Sequence, residues 1–176
     1  VLFFQSSDKS SNNWAGKLRT ESGWVLDSPV NNALAHYMNM VCYFGGETLE
    51  DMAQINSLQA GLYRANPEIE NFDTGFIGMT TLAGVKLLFV TSHAPQSTLD
   101  PIVEAVGEKG YIRWTRASYT ISHGDGSAET VPMPSFEKER DNIMDAVFNR
   151  LESPDAFVFT PERARILTAM VNAAHA

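Results

Sequence analysis

Between residues 55 and 131 the sequence runs as seven short β-forming stretches, at 55–64, 73–82, 85–92, 102–106, 111–114, 117–123 and 128–131. Turn signals divide several of them: Ala83-Gly84, Gly107-Glu108-Lys109-Gly110 and Gly124-Asp125-Gly126. Connections this short make antiparallel neighbours, because a parallel crossover needs about a dozen residues or more.

Helical signals flank this run. Ser28 is a good N-cap and Pro29 a good first helical residue, since its missing N–H has no partner there anyway. Apolar residues at Val30, Ala33, Leu34, Tyr37, Met38 and Val41 predict a helix over 29–44, stopped by Gly45-Gly46. Ser135 caps a second helix with the stripe Phe136, Ile143, Met144, Val147, Phe148 and Leu151. Thr160-Pro161 starts a last one, with Leu167, Met170, Val171 and Ala174 inward. Strands at 1–5 and 157–159 and a polar loop at 6–13 complete the reading.

The expected fold is α+β, a large mainly antiparallel open sheet with helices on one face, in a single domain spanning 1–176. The strands carry Phe76, Ile77, Leu87, Leu88, Phe89 and Trp114. That many apolar residues predict a homo-oligomer contact through the sheet face.

Length and charge limit the classes of partner. At 176 residues the chain suits one domain. Its net charge of −8 argues against nucleic acid, which needs a basic patch, and against attachment to anionic lipid. No apolar stretch approaches the length of a membrane span. The single cysteine, Cys42, can form neither an internal disulfide nor a Cys-based zinc site. No Asn-x-Ser/Thr sequon occurs, and both absences fit a cytoplasmic location. The opening run Val1-Leu2-Phe3-Phe4 reads as a strand cut from a longer protein.

The 29–44 helix is the most informative segment chemically. It contains no Asp, Glu, Lys or Arg, where the chain's 19% charged content predicts about 3. Val30, Leu34, Tyr37 and Val41 share one side; Asn32, His36, Asn39 and Tyr43 share the other. Such a stripe either satisfies buried backbone groups or lines a pocket for an uncharged hydroxylated ligand. Asp27, just before it, is either a cap and dipole partner or an orienting carboxylate. Lys17 and Arg19 read as surface charges, and Arg64 as a strand-end salt bridge or a partner contact. His93 and His123 lie near strand ends and His175 near the terminus; no His, Asp or Glu spacing marks a metal site. Gly124-Asp125-Gly126 lacks the third glycine of a dinucleotide fingerprint and has strands on both sides, so this chain by itself carries no cofactor site.

Taken in order, Asn13-Trp14-Ala15-Gly16, Gly23-Trp24-Val25-Leu26-Asp27-Ser28-Pro29 and Asn31-Asn32-Ala33-Leu34-Ala35-His36-Tyr37 resemble the C-terminal half of the glucose–fructose oxidoreductase / inositol dehydrogenase / MocA family. The resemblance extends through Leu62-Tyr63-Arg64-Ala65-Asn66, Asp73-Thr74, the Gly84 hairpin, Gly107-Glu108-Lys109-Gly110 and the closing helices. It implies an N-terminal Rossmann domain, absent here, that binds NAD or NADP, and hydride transfer at a hydroxyl carbon of a sugar or cyclitol. It also implies a C-terminal domain that closes the active site and mediates oligomerisation.

The family's pattern here is Gly-Gly, a short strand, then Asp-x-Gly-x-His, the His acting as general base. In this chain Gly23-Trp24 replaces Gly-Gly, Asp27 matches the Asp, Pro29 replaces the Gly, and Asn31 stands where the His belongs. Asn cannot accept a proton at neutral pH. The resemblance therefore implies Asp27 and His36 as catalytic candidates, and Asn31, Asn32 and Trp14 as ligands of a sugar-like molecule. Two other readings stand beside dehydrogenation: a relative that uses NAD transiently to cleave a glycoside, and a non-catalytic sugar-binding or structural module.

Overall fold

The computed structural model describes residues 2–3, 14–32, 34–97 and 99–176. The polar stretch read as a loop at 6–13, and most of the strand read at 1–5, lie outside them. In chain order the elements are β1 (Leu2–Phe3), β2 (Arg19–Thr20), β3 (Gly23–Trp24), α1 (Ala35–Phe44), β4 (Ile55–Tyr63), β5 (Thr74–Thr81), β6 (Lys86–Ser92), β7 (Val103–Gly107), β8 (Gly110–Trp114), β9 (Ser118–His123), β10 (Ala128–Pro132), α2 (Phe136–Glu152) and α3 (Pro161–Ala174). The α+β class holds, and all seven stretches between 55 and 131 form strands within about two residues of their expected ends. They are divided between two four-stranded sheets, and the chain forms two compact units, Val1–Pro101 with Arg165–Ala176, and Ile102–Ala164.

In the first unit the sheet order is β1-β6-β5-β4. β4, β5 and β6 pair antiparallel, and β1 lies parallel to β6. The β5–β6 hairpin turns at Gly84, whose φ of +83° suits a residue without Cβ. β5 alternates strictly: Ile77 and Met79 are buried on one face, while Phe76 is exposed on the other. The inward face meets Phe89 of β6, Met38 and Cys42 of α1, and Met170 and Val171 of α3. The helical stripes read at 37–41 and 167–174 therefore do cover one sheet face. Tyr63, Phe76 and Leu88 stand exposed on strands of the same sheet.

α1 begins at Ala35, not at residue 29. The described residues before it, 28–32 and 34, lie in bends and turns instead, with Asn31 N–H donating to Ser28 O and Ala35 N–H to Asn32 O. Ser28 Oγ is buried and, among the described residues, has no hydrogen-bond partner, so it does not serve as the cap. The cause is the pair of asparagines, whose side chains bond back to residues 25–27 and hold the backbone off the helical path.

The second unit is a meander of order β10-β9-β8-β7, antiparallel throughout. Val103, Trp114, Tyr119 and Val131 lie opposite one another and are half-buried. The other face carries polar pairs beside the exposed Val106, with Thr120 and Thr130 hydroxyls 2.9 Å apart and Glu104 paired with Arg113 at 2.5 Å. α2 is capped as expected by Ser135 Oγ, which accepts from Lys138 N–H. Its apolar stripe, however, is exposed along its whole length. The strand expected at 157–159 does not form. The carbonyls of Ala156 and Val158 accept from the Arg150 and Arg163 guanidinium groups.

Candidate functional site

The candidate site is built on the short β2–β3 hairpin of the first unit. Past its tip the chain runs back alongside its own entry: Val25 and Leu26 N–H both donate to Leu18 O, and Asp27 N–H donates to Lys17 O. This return sets Asp27 opposite Gly16. Asp27 Oδ2 accepts from Gly16 N–H at 2.5 Å, and Oδ1 accepts from the Asn32 side-chain amide at 2.8 Å. Both carboxylate oxygens are thus oriented.

Two backbone features permit this arrangement. Gly16 is buried with φ +74°, and an added Cβ would come within 2.8 Å of Ile69 Cγ2. Leu26 adopts φ +52°, the left-handed region that bulky residues seldom occupy. The Asn31 amide holds that turn, donating to Val25 O at 3.0 Å and Leu26 O at 3.3 Å. The segment is also tied to the β4–β5 connection. Glu70 N–H donates to Gly16 O, Glu70 Oε2 accepts from Leu18 N–H, and Asn71 Nδ2 donates to Asp27 O.

The sequence-derived residues separate accordingly. Asp27 and Asn32 are joined directly. Asn31 is adjacent, with its amide turned to the backbone of residues 25 and 26. Trp14 is 41% exposed at the start of the turn that leads to Gly16. His36 is exposed on the first turn of α1, and among the described residues no hydrogen bond joins it to Asp27, Asn31 or Asn32. Gly16, Asn71 and His175 join this site without a local sequence signal of their own. Only their fold contacts mark them, across 11 to 104 residues of sequence. Trp24, 71% exposed, carries the Arg19 guanidinium 5.4 Å from its ring.

The glycine pair at 124–126 does not form a dinucleotide cradle. Gly124-Asp125-Gly126 is the turn of the β9–β10 hairpin, and Asp125 Oδ1 accepts from both Ser127 N–H and Oγ–H. Those bonds hold the Asp125 carboxyl below its usual range. A carboxylate flanked by two strands is the wrong chemistry for a pyrophosphate, which needs N–H groups at a helix N-terminus. Among the described residues, no group of three or more His, Cys, Asp or Glu side chains is placed to hold a metal ion. No described helix is long and apolar enough to cross a membrane.

No family model and no curated protein matches the sequence. Solved structures do match the fold, oxidoreductases among them. An oxidoreductase from Agrobacterium radiobacter in complex with NAD+, L-tartaric acid and magnesium aligns over 99% of this chain and 52% of its own, with TM-score 0.69 and 17% identity. An oxidoreductase from Thermotoga maritima aligns over 98% and 48%, with TM-score 0.66 and 14% identity. The WlbA dehydrogenase from Bordetella pertussis, in complex with NADH and UDP-GlcNAcA, aligns over 99% and 51%, with TM-score 0.65 and 19% identity. The chain thus has the fold of one part of these oxidoreductases and spans about half of their length.

Proposed function

We propose that this chain is the substrate-binding and oligomerisation domain of an NAD(P)-dependent oxidoreductase acting on a hydroxyl of a sugar or cyclitol. The observation that carries this reading is the doubly oriented Asp27 carboxylate beside Asn32, on a strained turn in a chain with half the length of its structural neighbours. NAD or NADP belongs to a Rossmann domain outside this sequence, and the chain alone turns over nothing. The UDP-sugar and the hydroxy acid named with two of the neighbours agree with a hydroxylated substrate.

In this reading Asp27 orients the substrate hydroxyl, Asn32 and Asn31 hold neighbouring hydroxyls, and Trp14 stacks on the ring. His36 handles the proton, or a lysine of the Rossmann domain does so. The exposed Tyr63, Phe76 and Leu88 form the contact with a second copy.

The test begins with the reading frame upstream of Val1. A strand, G-x-G-x-x-G and a helix there support the reading, and a chain that begins near Val1 removes it. In a parent with that unit, alanine at Asp27 or His36 is expected to lower kcat by roughly 10²–10⁴. Unchanged turnover in both variants would remove these residue assignments.

One observation favours a second reading, a non-catalytic sugar-binding module. Asn31 stands in the base position and its amide serves the Leu26 turn, so no proton acceptor occupies that place. Sugar binding without turnover in the full-length parent is its signature.

A further inference from the structure

We propose that His175, acting through Asn71, is a positioning residue for Asp27. The inference deepens the proposed function and rests on its reading of Asp27 as the orienting carboxylate.

The argument is one of donors and acceptors. Asn71 is buried. Its Oδ1 lies 2.9 Å from Phe72 N, which can only donate, and its Nδ2 lies 3.0 Å from Asp27 O, which can only accept. These two partners fix the orientation of the carboxamide. The second Nδ2 hydrogen remains, and His175 Nε2 stands 2.9 Å from that nitrogen. It must receive the hydrogen on a lone pair. His175 Nδ1 lies 2.7 Å from Val171 O, another obligate acceptor, so Nδ1 carries the ring proton. The imidazole is therefore neutral, with hydrogen on Nδ1 and none on Nε2. Rotating the ring by half a turn would put carbon against both partners. The Phe72 ring, 5.3 Å away between centroids, packs beside it.

The result is a continuous relay, Val171 O to His175 to Asn71 to Asp27 O, that ties the end of α3 to the residue carrying the candidate carboxylate. Asp27 is then held twice: at its carbonyl by Asn71 and at its carboxylate by Gly16 and Asn32. A carboxylate has one productive direction only when its main chain is fixed as well. Each hydrogen bond in the relay polarises the next, so the tie depends on acceptance at Nε2.

Long-range proton–nitrogen NMR of the imidazole in the 176-residue chain tests this without any variant. The expected result at neutral pH is a protonated Nδ1 and a bare Nε2. A proton on Nε2, alone or with one on Nδ1, overturns the proposal. Two substitutions then separate positioning from packing. H175Q can place an acceptor where Nε2 was; H175N can replace Nδ1 but leaves Asn71 without its acceptor. H175N is expected to shift the Gly16 amide and the Asn32 side-chain amide resonances, and H175Q to leave them in place. An unmoved Gly16 amide in H175N, or an equal shift in both variants, overturns the proposal. These readouts need no ligand. A failure of the functional reading, such as sugar binding unaffected by D27N in the parent, is therefore told apart from a failure of the relay.

Discussion

Asp27 is oriented by residues chosen for their backbones as much as for their side chains. Leu26 in the left-handed region stores about 1–3 kcal/mol, and such strain persists where surrounding contacts over-determine it. The two bonds from Asn31 supply that determination. Gly16 is the matching requirement across the site. In G16A, φ +74° alone costs about 1–2 kcal/mol, and the new methyl crowds Ile69. Urea unfolding should show a lower midpoint with an unchanged slope, together with weaker sugar binding in the parent. Cys42 gives a pH-dependent prediction. Burial pushes its thiol from an ordinary 9.0 up to about 11. The folded chain keeps that proton where the unfolded chain releases it, so the contribution is complete below pH 9 and is lost as pH rises to about 11. About two units are worth roughly 2–3 kcal/mol. Denaturation midpoints of the wild type should fall across that window more steeply than those of C42A.

At the scale of elements, β5 shows how one strand serves two surfaces. Ile77 is fully buried against α1 and α3, while its neighbour Phe76 is 46% exposed. I77A should therefore cost about 2–5 kcal/mol in chemical denaturation. F76A should cost far less, and equal losses would mean that β5 is not arranged as described. The strands were legible because alternation and turn residues are local signals, as at Thr74–Thr81 and Gly84. The start of α1 was not. Ser28-Pro29 is a sound cap by local rules, but the side chains of Asn31 and Asn32 bond to acceptors five and six residues back, at 25–27, and the cap rule does not weigh that competition. The stretch at 157–159 failed as a strand for the complementary reason. Its composition suits a ladder, but the carbonyls of Ala156 and Val158 are taken by arginine side chains.

At the scale of the whole molecule, exposed apolar surface is the main fact. Each unit leaves some unpaired: Tyr63, Phe76 and Leu88 in the first, and the stripe of α2 in the second. Contiguous patches of this kind mark interaction surfaces in stable proteins. Sedimentation across micromolar concentrations should show a dimer or larger assembly, and F76E should shift it towards monomer. A monomer throughout the range contradicts the proposed sheet-face contact.

What the sequence determined by itself was the local layer. It specified seven antiparallel strands, the capped helices α2 and α3, an uncharged segment around Asn31–His36 and an acid at Asp27, all through patterns that span a few residues. Tertiary structure decided what those patterns were used for. It divided the strands between two sheets, because pairing depends on partners far along the chain. It turned Asn31 to the backbone and left His36 apart. It also brought Gly16, Asn71 and His175 to Asp27 across as many as 104 residues between Asn71 and His175. Hydrogen-bond complementarity at such separations leaves no local periodicity to read, so only the fold reveals it.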